Sequence, residues 1–393
     1  MKILILWSGA VVPAYRQFFL ELARHMRVRV LSPRSWTHGS RSFEGAKGNT
    51  NGNQKADGKR DGNGEPGEGK KTVPDSGCEI IPVTYLPERS SRYWVPSLAL
   101  HLWRFRPRYL YIMDEMDRPS LAWHALIARL AWPPVRVVQY ALQNIAAPGY
   151  YRWHHRLATR INQALVSLSI AASREAEAVL KANGFRKPVR VIPLWGSEAF
   201  YMPGEPAANQ SYRREHGVSE GETLIVFAGS MVEAKGVKLL AEALSRHSRL
   251  KVISAGNGPL AATAPRQAPG QWIHLGALEG EELRRLYQAG DYIILPSVTL
   301  PDWKEQVGRS LIEGILCGCI ALGSDSGHIP EITLFPDASF RQGEAVSLHA
   351  MLAGLPLADA DAVRKTQLRN VRARFTAAAV AEETAAFVNG GGS

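Results

Sequence analysis

The sequence holds three cysteines in 393 residues, Cys78, Cys317 and Cys319. Three cannot build a disulfide framework, and Cys317-Gly318-Cys319 lacks both metal spacing and a histidine partner, which leaves buried thiols in a reducing cytoplasm. No run of eighteen apolar residues exists, so no segment reads as a membrane-spanning helix. The opening MKILILW has one Lys and a five-residue apolar run, shorter than the core of a secretory signal and better read as a buried strand. Three catalytic signatures are also missing. SGAVVPAY after that strand has a single glycine instead of G-x-G-x-x-G, and neither G-x-x-x-x-G-K-[ST] nor G-x-S-x-G occurs. These absences speak against a nicotinamide dehydrogenase, a P-loop NTPase and a nucleophile-elbow hydrolase.

What is present is a globular composition, 45% apolar and 21% charged. It excludes global disorder and, at this length, predicts two domains. The net charge of +11 is unevenly placed. Up to Trp195 there are 29 Lys and Arg against 14 Asp and Glu, a net of +15; the remainder has 18 against 22, a net of −4. A basic half favours an anionic substrate or surface, such as membrane headgroups or a lipid phosphate, unless it is only a solvated face. Nucleic acid has no supporting motif beyond charge and is not expected as a partner. Residues 92 to 106 set Tyr93, Trp94, Trp103 and Phe105 among Arg92, Arg104 and Arg106. That composition suits a membrane interface and equally a core-facing helix whose arginines reach out to water.

Strand and helix patterns alternate through both halves. KILILW (2–7), RVRVLSP (27–33), EIIPVTYL (79–86), RYLYIMD (108–114), VRVVQYA (135–141), SLSIAAS (167–173) and VRVIPLW (189–195) read as strands, with helical spacing over 15–26, 119–132 and 155–167. From Glu44 to Lys71 there is no large apolar side chain and eight glycines are spread among polar residues, so about 44–75 is expected to be a disordered insertion. Gly196 to Gln210, with Pro203, Gly204 and Pro206, reads as an interdomain connection. A second series follows: strands at 223–229, 250–256, 272–278, 291–297 and 319–325, and helices at 237–247, 280–290 and 308–318. The expected fold is α/β, two Rossmann-like domains facing across a cleft. The first covers 1–195 and the second 206–375, with a C-terminal helix over 376–390 packing back on the first. Ligands of such sheets bind beyond the carboxyl ends of the strands.

Three segments of the second half end a strand in small residues and open a helix there. In FAGSMVEAKGVKLL, Gly229 lets a backbone approach a ligand and Lys235 stands just ahead of a helix N-terminus, where unpaired N–H groups favour an anion. In SAGNGPL, Gly256-Asn257-Gly258 makes a tight turn. In PDWKEQVGRSLIEGILCG, Glu305 precedes a helix, Glu313 lies inside it eight residues on, and Gly308 exposes N–H groups between them. Each is generic alone: Lys235 reads equally as a solvated loop lysine and Glu313 as an exposed helix residue. Asp359-Ala360-Asp361 and His154-His155 are chance pairs, and no metal is expected.

Together these segments resemble a known family. EQVGRSLIEGILCGCIALGSDSGHIPEI is similar to the donor-site signature of family four of the retaining glycosyltransferases, which have the two-domain GT-B fold. Glu305 and Glu313 match its two glutamates separated by seven residues, FAGSMVEAKG its phosphate loop and AGNGPL its glycine turn. SGAVVPAYRQFFLELA and the stretch from SLSIAAS to RVIPL resemble acceptor-domain elements of bacterial polysaccharide-type members, so the likeness covers nearly the whole chain outside 44 to 77. It implies transfer of a sugar from a nucleotide-sugar to a glycan or lipid-linked acceptor, with retention and without a cofactor; the basic first half sets the expected place in the cytoplasm, at the inner face of the membrane. Glu305 would hold donor-sugar hydroxyls, Glu313 the ribose, and Lys235 the diphosphate, with the N–H groups near Val307 and Gly308. The base would be read by backbone near Gly276. Two departures stand out. Ser230 replaces the Arg that often follows the loop glycine, with Arg309 and Arg16 as candidate substitutes, and Leu142-Gln143-Asn144 stands where many members carry a His. The acceptor side is thereby left to Gly9, Arg16, Gln143 and Asn144. The rival is a degenerate copy that keeps the fold and nucleotide affinity without catalysis.

Overall fold

Four of the five residues of KILIL are buried, the mark of a strand covered by helices on both faces. The computed structural model describes residues 1–11, 15–38, 41–44, 77–86, 93–145 and 153–391; the expected insertion lies outside them beyond Glu44. The first half runs β1 (Lys2–Leu6), α1 (Arg16–Ala23), β2 (Arg27–Pro33), β3 (Ser35–His38), β4 (Arg41–Glu44), β5 (Cys78–Val83) and α2 (Leu98–Phe105). It continues through β6 (Tyr109–Met113), α3 (Pro119–Ala131), β7 (Arg136–Ala141), α4 (Trp153–Leu165), β8 (Val166–Ala171), α5 (Arg174–Ala182) and β9 (Val189–Val191). Its seven-stranded sheet has the order β5-β2-β1-β6-β7-β8-β9, every pair parallel, with Ile3 opposite Val28 on one side and Tyr109 on the other. β3 and β4 form a separate antiparallel hairpin that the sequence pattern did not show.

The second half runs α6 (Pro206–Glu215), β10 (Thr223–Ala228), α7 (Val237–Leu244), β11 (Leu250–Ala255), α8 (Ala264–Gln267), β12 (Trp272–His274) and α9 (Gly280–Ala289). Then come β13 (Tyr292–Leu295), α10 (Arg309–Cys317), β14 (Ile320–Ser324), α11 (Pro330–Thr333), β15 (Ser339–Phe340), α12 (Ala345–Ala353), α13 (Ala360–Arg374) and α14 (Ala377–Asn389). Its sheet is again parallel, β12-β11-β10-β13-β14-β15. α6 begins inside the segment expected to be a connection, because Pro206 supplies a preset first helical turn. Asp359 and Asp361 open α13, where Asp361 pairs with Arg364.

The chain crosses between the halves twice, and the crossings lie side by side. Gly196 donates its N–H to Phe375 O at 2.8 Å and accepts from Ala377 N at 3.2 Å. Glu198 then caps α14, taking the N–H groups of Ala377 and Ala378 at 3.0 and 3.1 Å. From there α14 packs on α1 of the first half, and Tyr109 Oη donates to Val388 O at 2.5 Å. Trp195 stacks on Phe18 at 4.2 Å, so one apolar core runs through the junction. Among the described residues no helix is long and apolar enough to cross a membrane.

Candidate functional site in the cleft

The carboxyl ends of β10, β11 and β13 meet at the cleft. Gly256 lies at φ +140°, and a Cβ there would come within 1.8 Å of Gly229 O, so only glycine lets these two turns touch. Backbone bonds tie the cluster: Gly229 N to Ala255 O, Met231 N to Asn257 O, and Gly256 N to Gly276 O. Gly229, Ser230, Gly256, Asn257, Gly258 and Gly276 are thus gathered at one place, and Ser230 is exposed there. After Ser230 a short 3-10 turn, Glu233–Lys235, carries Lys235 toward the end of β13.

Lys235 Nζ donates to Glu305 Oε2 at 2.5 Å, and Ser297 Oγ donates to the same oxygen at 2.8 Å. Glu305 is 7% exposed, and the ammonium also stands 4.9 Å from the Trp303 ring centroid. A charge this buried needs its partner, and Lys235 supplies it. Val307 is buried and Gly308, at φ +71°, is the N-cap of α10, so the first-turn N–H groups of that helix open where Glu305 stands. Eight residues on, Glu313 is 3% exposed and not the surface residue that its spacing alone allowed. Its Oε2 accepts from Tyr287 Oη at 3.1 Å and its Oε1 faces Arg309 Nε at 3.0 Å. Arg309 in turn donates to Tyr15 Oη at 2.5 Å, across the cleft.

The opposite lip belongs to the first half. Asn144 Nδ2 donates to Glu305 O at 3.0 Å, and Lys304 pairs with Glu175. Gln143, Asn144 and Ile145 face Asp302, Trp303, Lys304 and Gln306 around a pocket of about 300 Å³. Gly9 sits in the 3-10 turn after β1 and Arg16 opens α1, next in sequence to the Tyr15 that reaches Arg309.

Sequence reasoning passed over the acidic run at the end of β6. Burial pushes the Glu115 carboxyl up to about 7, against the bonds it accepts from the N–H groups of Leu142 and Gln143. Burial likewise raises Asp114 to about 6, although Ser120 Oγ donates to it at 2.5 Å. Glu115 therefore fixes the loop that carries Gln143 and Asn144. The signal was available: three acids in MDEMD at the carboxyl edge of a central strand. Ser297 and Tyr287, which hold the two glutamates, carry no such signal. His155 Nδ1 is 3.0 Å from Asp117 O, and among the described residues no group of three or more His, Cys, Asp or Glu is placed to hold a metal ion.

Residues 208–334 match the family model Glycosyl transferases group 1. The fold is GT-B. The structure of Anabaena Alr3699/HepE in complex with UDP superposes with a TM-score of 0.71 at 16% identity, covering 99% of this chain and 100% of that one. Among curated proteins, the uncharacterized glycosyltransferase MJ1607 of Methanocaldococcus jannaschii is 28% identical over 131 residues, 31% of this chain and 32% of that protein. The sulfoquinovosyl transferase SQD2 of Arabidopsis thaliana is 24% identical over 208 residues, 51% of this chain and 37% of that protein. The chain spans about a third of the length of these curated relatives. The matched region runs from α6 through α11 and includes the glycine turns, Lys235, Glu305 and Glu313.

Proposed function

We propose that the protein transfers a sugar, with retention of configuration, from a nucleoside-diphosphate sugar to a glycan or lipid-linked acceptor. The observation that carries this is the Lys235–Glu305 pair at the N-terminus of α10, on the floor of the cleft. Departure of a nucleoside diphosphate concentrates negative charge on its phosphates. A fixed ammonium and the first-turn N–H groups of a helix oppose that charge without reorganising, which lowers the barrier. Lys235 thus has two partners in turn, Glu305 before the donor enters and the diphosphate afterwards. Glu305, released from Lys235, accepts from sugar hydroxyls, and Glu313 from the ribose. In this reading the protein cations, not a bound metal, neutralise the leaving group. Lys235 alone stands in the phosphate loop, since Ser230 has no charge and Arg309 is already committed to Glu313 and Tyr15.

That commitment of Arg309 favours one second reading, a nucleotide-binding scaffold without turnover. The test separates the two. Titration with UDP, the nucleotide bound by HepE, and NMR of the anomeric proton during donor turnover are measured together. Binding with formation of the same anomer supports transfer with retention; binding without turnover on any donor or acceptor leaves the scaffold. Full activity after exhaustive chelation is expected, and loss of activity restored by a divalent ion would remove the metal-independent part. Three free buried thiols support a reducing compartment.

A further inference from the structure

Helix α4 is turned inside out for a protein surrounded only by water. Its buried stripe is His155, Ala158 and Asn162, and its outward stripe is Trp153, Leu157 and Ile161, 76%, 50% and 37% exposed. The orientation is fixed by polar bonds on the inner side. Asn162 Nδ2 donates to Met116 O and Arg118 O at 2.8 and 3.0 Å, and His155 is held at Asp117 O. Rotating the apolar stripe inward would break all three. α4 packs on α3, which exposes Trp123 and Leu130, and α3 packs on α2, which exposes Trp103. Large apolar side chains exposed on three helices packed in a row mark an interaction surface.

Charge identifies the occupant. α2, α3 and α4 contain no Asp or Glu, and the exposed positions between the apolar ones include Arg104, Arg156 and Arg160. Tryptophan and leucine interleaved with arginine, on three helices packed in a row, match the layered chemistry of an anionic bilayer interface. A second copy would bring the same cations against these.

We propose that the outer face of α2, α3 and α4 docks the protein on an anionic phospholipid bilayer. Trp123, Trp153, Leu157 and Ile161 enter the interface, and Arg156 and Arg160 pair with headgroup phosphates. The proposal deepens the lipid-linked reading of the acceptor. Each of the three helices follows a parallel strand and so begins at the carboxyl edge of the sheet, the edge that lines the cleft. Docking there sets the cleft mouth beside the membrane.

The full chain is sedimented with phosphatidylglycerol/phosphatidylcholine vesicles and with phosphatidylcholine alone, at low and high salt. Binding is expected on the anionic vesicles and falls with salt. Trp153→Glu with Leu157→Glu, and separately Arg156→Glu with Arg160→Glu, each lower affinity about tenfold or more. Val346→Glu, at an 81% exposed position in α12, leaves it unchanged. Melting temperatures confirm that the variants fold, and Trp153→Phe retains binding. Donor hydrolysis without vesicles stays at the wild-type rate in all variants, so a failure here is distinct from a failure of the transferase reading. Absence of wild-type binding at low salt, or equal binding by wild type and both double variants, overturns the proposal. A wild-type dimer that Trp153→Glu converts to monomer also overturns it, in favour of a second copy on this face.

Discussion

Glu305 Oε2 is shared by Lys235 and Ser297, so the two groups assigned to sugar and diphosphate hold each other before either ligand arrives. Their substitutions should therefore separate. Glu305→Gln keeps the shape and lowers donor hydrolysis by about a hundredfold or more, while free UDP binds within a few-fold of wild type, because hydroxyl contacts matter most as positive charge grows on the sugar. Glu313→Ala instead weakens free UDP, since ribose is present in both. Lys235→Ala hurts both and also lowers the melting temperature, because it strands a buried carboxylate. Calorimetric titration and donor hydrolysis on the three variants check this; equal, small effects throughout would hand the site to the scaffold reading. Glu115 gives a pH signature. Burial raises its folded pKa from the ordinary 4.5 to about 7, so the folded state holds its proton more tightly, and the stability linked to that proton is lost as pH rises through about 7. Asp114, raised from 3.8 to about 6, acts in the same direction. Glu115→Gln should gain melting temperature relative to wild type between pH 5 and pH 8, and a difference that is flat in pH would show that Glu115 is solvated.

At the scale of elements, the strands of both sheets were read from sequence except the short β15, and the helices α11, α12 and α13 were not. Strands such as TLIVFA are apolar over five or six residues and buried on both faces, so composition alone marks them. α13 buries only Val363, Gln367 and Val371 among its fifteen residues. The glutamine in the middle of that stripe hides its period from any hydrophobic pattern. Yet Gln367 is fully buried and bonds Ala321 N, Ala321 O and Thr333 O, tying α13 to β14 and α11. Gln367→Leu should cost about 2–4 kcal/mol, since buried backbone groups then lose partners. Chemical denaturation measures it, and a change under 1 kcal/mol would mean that water replaces the amide there. The site divides in the same way. Gly229, Lys235, Gly256, Glu305 and Glu313 sit in local strand-to-helix motifs and were legible. Asn144 on Glu305 O, 161 residues apart, is set by how the halves meet and leaves no local trace.

At the scale of the molecule, the halves are joined firmly at one end and lightly across the cleft. The firm end is apolar, with Trp195 on Phe18 and α14 on α1. The cleft contacts are polar: Arg309 to Tyr15, Asn144 to Glu305 O, and Lys304 to Glu175. The exposed ion pair contributes roughly 0.2–1 kcal/mol and the two hydrogen bonds about 0.5–3 kcal/mol each, so the closed arrangement rests on a few kcal/mol and a ligand can tip it. The Lys304–Glu175 pair is the one most open to salt, with side chains 26% and 35% exposed. Tyr15→Phe combined with Lys304→Met removes two of these three polar bonds, leaving the Arg309 guanidinium 5.0 Å from the ring centroid and Lys235, Glu305 and Glu313 untouched. Small-angle scattering should give the ligand-free double variant a larger radius of gyration than wild type, and UDP should return it to the wild-type value. Wild type in high salt should move part of the way toward the variant, because screening weakens the same pair. If the double variant and wild type scatter alike without ligand, the apolar end alone sets the angle between the halves, and the cleft contacts follow closure without contributing to it.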